Sequence, residues 1–188
     1  LVSDMVGEFP ELQGIAGRHY ALHDGETEAV ADAIEQHYWP KVSGDTLPTT
    51  PESASLALAD RLDTLVGIFG IGQSPTGSKD PFALRRASLA AIRILLAFAP
   101  NAGLDAVLTI AAQSFATGQL SADVVTTVKA YLLDRLPAHY EEQGISIDTL
   151  RSVTSVGTES LGDIDLRTLA VAEFAGSEAA DALAAANK

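Results

Sequence analysis

The stretch "DPFALRRASLAAIRILLAF", residues 80–98, constrains the fold more than any other part of the sequence. Asp80 suits an N-cap, and Pro81 suits the first position of a helix. The apolar residues that follow recur every three or four positions, which predicts one long amphipathic helix ending near Phe98. Nearly every other segment shows the same period, and we find none with the alternation of a half-buried strand. The sequence therefore predicts an all-α fold.

Capping residues and helix breakers divide the rest of the chain into further helices. Residues 9–23 predict a helix with Pro10 in its first turn, and Thr27 and Thr50 suit the N-caps of the next two helices. Beyond the "PNAG" turn, shorter amphipathic helices are predicted over residues 104–116, 121–142, 146–153, 163–175 and 177–187.

Composition places the chain among globular proteins. Hydrophobic residues make up 47% of it and charged residues 20%, which is ample material for a core. No window reaches the roughly 18 uninterrupted apolar residues of a membrane span, and the N-terminus lacks a signal-peptide pattern. Without cysteine there is no disulfide framework and no thiolate nucleophile. We expect a cytoplasmic protein with no membrane partner, with a compact helical core over residues 1–98 and a helical extension over residues 99–188.

The total formal charge of −13 argues against a nucleic-acid partner, because proteins bind phosphates through Lys and Arg. The charge is unevenly distributed along the chain. Residues 1–72 carry three bases against 12 acids (−9), and residues 101–188 carry five bases against 12 acids (−7). Residues 73–100 carry four bases against one acid (+3), so only this segment is positive.

The positive segment supplies four candidate RNA-binding residues, which are Lys79, Arg85, Arg86 and Arg93. Arg86 and Arg93 are seven positions apart and therefore lie nearly on one helical face, with Arg85 on a neighbouring face. Side chains in this arrangement suit contacts with an RNA backbone. The alternative is that the arginines pair with nearby Asp and Glu and hold helices together. The residues themselves leave both interpretations open.

The stretch "GRHYALHDGE" places two histidines and a carboxylate close together in the sequence. His19 and His23 are four positions apart and share one face of a helix, a spacing that suits two imidazoles on one metal ion. Asp24 adjoins them, and Asp60 on a later helix would complete a mixed His/Asp set for a divalent cation. The alternative is structural: Asp24 opens a turn, His23 ends a helix where its charge is favoured, and His19 is a half-buried polar residue.

The order "HD" at residues 23–24 followed by "LADRLD" at residues 58–63 is similar to the H…HD…D pattern of HD-superfamily phosphohydrolases. The resemblance implies a helical HD-like core in which His23, Asp24 and Asp60 are metal-ligand positions. That family's first His lies on an earlier helix, well before the His-Asp pair, and this chain has no His before His19. Either that ligand lies upstream of this sequence or it is missing, and an absent ligand would leave His23, Asp24 and Asp60 as a vestigial metal site.

Longer stretches resemble the beta-subunit family of the bacterial two-subunit glycyl-tRNA synthetases. They are "MVGEFPELQGIAGRHYALHDGE", "ALADRLDTLVGIFGIGQSPTGSKDPFALRRASLAAIRIL" and the terminal "ALAAANK". This resemblance extends from near the first residue to the last, and the first 98 residues carry most of it.

The resemblance implies an internal piece of a larger subunit that continues into a basic segment and a C-terminal anticodon-binding domain. It implies an alpha-subunit partner, in a heterotetramer, that holds the glycine, ATP and Mg chemistry, so no cofactor is expected in this chain. The other implied partner is tRNA(Gly), and DNA is not expected. The implied function is support of tRNA binding and subunit assembly, without a catalytic centre of its own. The alternative function is that of a metal-dependent HD-type phosphohydrolase.

Overall fold

The computed structural model describes residues 4–42, 44–157 and 160–186. The chain is 66% helical, and the described residues contain no strand, which confirms the predicted all-α fold. No helix in these ranges combines the length and the apolar character needed to cross a membrane. In chain order, the described residues form α1 (Asp4–Glu8), a 3₁₀-helix (Pro10–Leu12), α2 (Ile15–His23), α3 (Glu28–Gln36), α4 (Pro51–Gly70), α5 (Leu84–Phe98), α6 (Leu104–Ala112), α7 (Val124–Glu141), α8 (Ile147–Thr154), α9 (Leu161–Ala175) and α10 (Glu178–Ala186).

Two of the predicted N-caps are confirmed. The hydroxyl of Thr27 accepts a hydrogen bond from the backbone N–H of Val30 at 3.4 Å, at the start of α3. The hydroxyl of Thr50 accepts one from the N–H of Ser53 at 3.2 Å, and Pro51 occupies the first position of α4. Each cap satisfies a backbone donor that has no partner inside its own helix, and so fixes where the helix begins.

The prediction of one helix over residues 9–23 is wrong. The chain forms a short 3₁₀ turn, breaks at Gly14 with φ 84°, and begins α2 at Ile15. A Cβ atom at Gly14 would lie 3.0 Å from the carbonyl oxygen of Glu35, so the break brings this backbone close to α3. Glycine meets both requirements, because it adopts positive φ without strain and has no side chain to clash.

The predicted start of the long helix at Pro81 is also wrong, although its cap is present. The carboxylate of Asp80 accepts hydrogen bonds from the N–H groups of Leu84 at 2.8 Å and Arg85 at 3.0 Å. Helix α5 therefore begins at Leu84, after a turn in which Ala83 has φ 54°. This turn contains the exposed Phe82, which would otherwise stand within the first turn of the helix.

All five helices predicted beyond residue 100 are present, with shifted ends. Helix α6 ends at Ala112 and α7 begins at Val124, so the connection between them is longer than predicted. Helices α8 and α9 match their predicted ranges within two residues. The predicted end of the last helix, at residue 187, lies outside the described residues.

Helix α4 lies at the centre of the fold and packs against α3, α5, α6 and α7. A cluster of 18 buried apolar residues draws on α4 to α9, and its members include Leu65, Leu95, Leu132 and Ile164. The proposed division at residue 98 stays a prediction, but this cluster contains residues from both sides of it.

Candidate nucleic-acid interface

The four basic residues predicted to bind RNA differ in their surroundings. Lys79 is exposed in the turn before α5, and Arg86 is exposed on α5 itself. Arg85 and Arg93 are half-buried on the same helix. The structure therefore separates two exposed cations from two that are partly enclosed by protein.

The two half-buried arginines are held by backbone carbonyls. A guanidinium N–H of Arg85 donates to the carbonyl oxygen of Gly77, and Nη2 of Arg93 donates to that of Asp45 at 2.7 Å. Nη1 of Arg93 is buried and has no hydrogen-bond partner within the described part of the chain. These contacts connect loops to α5 through backbone carbonyls, whereas the structural alternative expected pairing with Asp and Glu side chains. RNA contact by these two arginines stays a prediction.

Arg86 borders a cleft between the segment after α3 and helices α4 and α5, which we call the basic cleft. It has a volume of about 320 Å³ and is open to solvent. Three of its side chains are basic (Lys41, Arg61 and Arg86) and one, that of Asp60, is acidic. The remaining lining residues are Gln13, Tyr38, Pro40, Thr64, Phe82, Ala83, Ala87 and Ala90. The cleft is therefore a positive site on a chain whose net charge is −13.

Arg61 connects the segment after α3 to α4. It is only 7% exposed, and its Nη1 donates to the carbonyl oxygens of His37 at 2.6 Å and Ala57 at 2.9 Å. Its Nη2 donates to the carbonyl oxygen of Pro40 at 3.3 Å. Burial lowers the pKa of Arg61, and the negative charge of Asp60 partly offsets that effect. An arginine stays charged under these conditions, so Arg61 carries a positive charge at the cleft.

Tyr38 lies 22 positions before Asp60 in the sequence, and the two side chains interact in the cleft. Burial raises the pKa of the Tyr38 hydroxyl, and the negative charge of Asp60 raises it further. A hydrogen bond with Gln13 acts in the opposite direction. The cleft thus combines a neutral phenol, an amide and a carboxylate with its three cations.

The sequence analysis missed Lys41 and Arg61. Lys41 lies in a segment with a net charge of −9, so a sum over that segment conceals it. The burial of Arg61 could have been predicted from the sequence. This residue continues the buried stripe of Ala54 and Ala57 on α4 at intervals of three and four residues. A charged residue on the apolar face of a helix usually has buried partners, which here are backbone carbonyls.

Two of the proposed metal-ligand residues lie outside the cleft that contains the third. His23 is the last residue of α2 and Asp24 its C-cap, both exposed, and neither lines the basic cleft in which Asp60 lies. His19 is exposed, not half-buried as the structural alternative expected. Among the described residues, no group of three or more His, Asp or Glu side chains is arranged to hold a metal ion. The vestigial site at His23, Asp24 and Asp60 stays a prediction.

The charge around Asp60 also argues against a metal at that position. Three cationic side chains line the same cleft, and their repulsion opposes a divalent cation. The same charges favour an anion such as a phosphate group. The cleft is suited to binding an anion.

The fold and the cleft define an all-α protein that carries a local cationic site on an acidic chain. The chain belongs to the glycyl-tRNA synthetase beta subunit family, whose model matches residues 1–155. It is 47% identical to the glycine–tRNA ligase beta subunit of Azotobacter vinelandii, 49% to that of Aromatoleum aromaticum and 50% to that of a Janthinobacterium species. Each match covers 100% of this chain and 27% of the relative.

These comparisons confirm the predicted family. The chain spans about 27% of the length of these curated relatives. Neither the family description nor the names of these relatives refers to a phosphohydrolase.

Proposed function

We propose that this chain is part of the beta subunit of a glycine–tRNA ligase and supports the binding of tRNA(Gly) and assembly with the alpha subunit. The observation that carries the proposal is identity of 47–50% to glycine–tRNA ligase beta subunits along the whole chain. Such similarity includes the helices that form the cleft. The proposed place of action is the cytoplasm.

The distribution of charge supports an RNA-contacting role. Lys41 and Arg86 are exposed at the basic cleft, and Lys79 is exposed in the turn before α5. Exposed cations on a protein of net charge −13 form a local site to which phosphates are attracted. The half-buried Arg85 and Arg93 would then hold the loops around this surface and add to its positive potential.

The chain is proposed to have no catalytic centre of its own. Glycine activation, with its ATP and Mg, is assigned to the alpha subunit. His23 and Asp24 are exposed and do not line the cleft of Asp60, and cations surround Asp60, so these positions give no support to a metal-dependent phosphohydrolase. We therefore do not propose that activity.

The test is a pair of double variants in the whole enzyme. Lys41→Gln with Arg86→Gln removes two positive charges from the cleft. Arg151→Gln with Arg167→Gln removes two exposed positive charges from α8 and α9, and is the matched control. If the cleft contacts RNA, the first pair raises KM for tRNA(Gly) and lowers the log–log salt slope of binding by somewhat under one unit per lost phosphate contact.

Three further results bear on the proposal. Glycine-dependent adenylate formation should be the same in both double variants, because that chemistry is assigned to the alpha subunit. Both variants should also co-elute with the alpha subunit in size-exclusion chromatography. Equal KM values and equal salt slopes in the two double variants would show that the cleft does not contact tRNA.

A further inference from the structure

We infer that the basic cleft is a subsite for one unpaired nucleotide of the bound RNA, whose base stacks on an aromatic side chain and whose phosphate contacts Lys41 and Arg86. This inference rests on the proposed tRNA-binding role and goes beyond it. It assigns a specific structural element of RNA, a single splayed-out base, to a specific set of side chains.

The size of the cleft favours a single nucleotide. Its volume of about 320 Å³ is at the lower end of the roughly 300–1,000 Å³ that small-molecule sites occupy. A duplex presents its bases stacked and paired, so it offers only its backbone to such an opening. An unpaired base is free to enter, and proteins that read RNA sequence mostly use unpaired bases.

Phe82 has the position and exposure of a stacking residue. It lines the cleft, is 42% exposed and belongs to neither of the two apolar clusters formed by the described residues. The turn before α5, with Ala83 at φ 54°, places it outside the helix. An exposed ring beside two cations gives a base both a face to stack on and nearby charges for its phosphate.

The polar residues of the cleft indicate which bases it favours. A carboxylate repels phosphate, so the presence of Asp60 in a phosphate-binding cleft is best explained by contact with a base edge. Carboxylate oxygens accept hydrogen bonds from exocyclic amino groups, as Asp and Glu do from the amino group of cytosine. Guanine and cytosine, like adenine, carry such an amino group and uracil lacks one. We therefore assign the cleft to a base with an exocyclic amino group, such as guanine or cytosine, in preference to uracil.

The experiment uses the whole enzyme and single-stranded RNA pentanucleotides that differ only in the central base, G, C or U, between uridines, so that the U probe carries no exocyclic amino group. Binding is followed by fluorescence anisotropy of an end label. Phe82→Ala is expected to raise Kd for the G and C probes about tenfold and to leave the salt slope unchanged, because stacking involves no counterion release. Phe82→Tyr should restore the affinity, and Phe82→Leu should not, since only the former keeps the ring.

Phe98→Ala is the matched control, because Phe98 is 38% exposed at the other end of α5 and does not line the cleft. It should bind all probes as the unmodified enzyme does. Asp60→Ala should abolish the preference for G and C over U, because it removes the acceptor oxygens, which Asn would partly retain. Thermal unfolding of each variant separates a binding effect from a loss of folding.

The results distinguish this inference from the proposed function. If Lys41→Gln with Arg86→Gln weakens tRNA binding but Phe82→Ala changes neither tRNA nor probe binding, the cleft contacts only the backbone and the nucleotide subsite is wrong. If U binds as tightly as G and C, the assignment of Asp60 to a base edge is wrong. If neither the charge variants nor Phe82→Ala affects RNA binding, both proposals are overturned.

Discussion

The N-terminal pair, α2 with α3, and the central bundle, α4 to α7, are held together by different forces. The central bundle buries large apolar side chains completely, among them Leu65, Leu108 and Leu132 at 0% exposure. The pair buries mainly small residues, and Gly17 lets Ile34 approach so closely that a Cβ at residue 17 would lie 2.7 Å from its Cγ2. The buried residues of the pair are Ala16, Ala21, Ala31 and Gln36.

Hydrogen bonds and an ion pair, and not the burial of large apolar side chains, hold the N-terminal pair in place. Nε of Arg18 lies 2.7 Å from a carboxylate oxygen of Asp32, which connects α2 to α3. The side-chain oxygen of Gln36 accepts hydrogen bonds from the N–H of Thr49 at 2.8 Å and from its hydroxyl at 3.0 Å. Hydrogen bonds fix orientation more narrowly than apolar contacts do. The difference matters for function, because the basic cleft lies between the two regions.

The largest effect is expected in the central bundle. Leu132→Ala removes a fully buried side chain from the apolar cluster and should lower the free energy of unfolding by about 3 kcal/mol, the sum of lost burial and a residual cavity. Denaturant unfolding measures this change. Leu166→Ala, at a side chain that is 70% exposed, is the control and should have little effect. Equal losses for the two variants would contradict the description of the bundle as the main source of stability.

Arg61→Met tests the connection between the two regions. The substitution keeps an apolar stem but leaves the carbonyl oxygens of His37 and Pro40 without the guanidinium donor, which should cost about 2 kcal/mol. Hydrogen exchange should become faster in α2 and α3 and change little in α5 and α7.

Arg151→Met, at an exposed arginine on α8, is the control for Arg61→Met and should leave the exchange pattern unchanged. If Arg61→Met accelerates exchange equally in all helices, the two regions unfold as one unit. Arg61 would then not be a connection between separable parts.

Gly17→Ala tests the close approach of α2 to α3. The new Cβ would lie 2.7 Å from Cγ2 of Ile34, a stiff β-branched side chain. Overpacking should outweigh the gain in helix propensity and lower the free energy of unfolding by about 1 kcal/mol. At Gly7 in α1, a Cβ would meet nothing within 4 Å, so Gly7→Ala should be neutral or stabilising. Stabilisation by both substitutions would show that the pair is loosely packed.

The smallest effect is expected for Arg18→Gln. The ion pair between Arg18 and Asp32 is partly exposed, with 31% of each side chain accessible, so solvent screens most of its energy. The melting temperature should fall slightly in low salt and match that of the unmodified protein at high salt. A large decrease that persists at high salt would contradict a solvent-screened ion pair, because salt screens the charges but not the hydrogen bond or the packing of Arg18.

Local signals determined much of this fold from the sequence alone. The helical period and the caps at Thr27 and Thr50 gave the all-α class and the order of the helices, because both effects act within a few residues of chain. The family was also determined by the sequence, since long stretches such as "ALADRLDTLVGIFGIGQ" are recognisable without a structure. The errors lie at Gly14 and Pro81, where a contact with α3 and a turn before α5 set the helix ends.

The position and the lining residues of the basic cleft are determined by the tertiary structure alone. Its residues come from the 3₁₀ turn region, the segment after α3, helix α4 and the start of α5, and they meet because α4 packs against both α3 and α5. Charge summed along the sequence identified Arg86 but missed Lys41, which lies 45 positions earlier in an acidic segment. Electrostatic potential depends on distance in space, and packing sets that distance in ways that a sum along the chain does not contain.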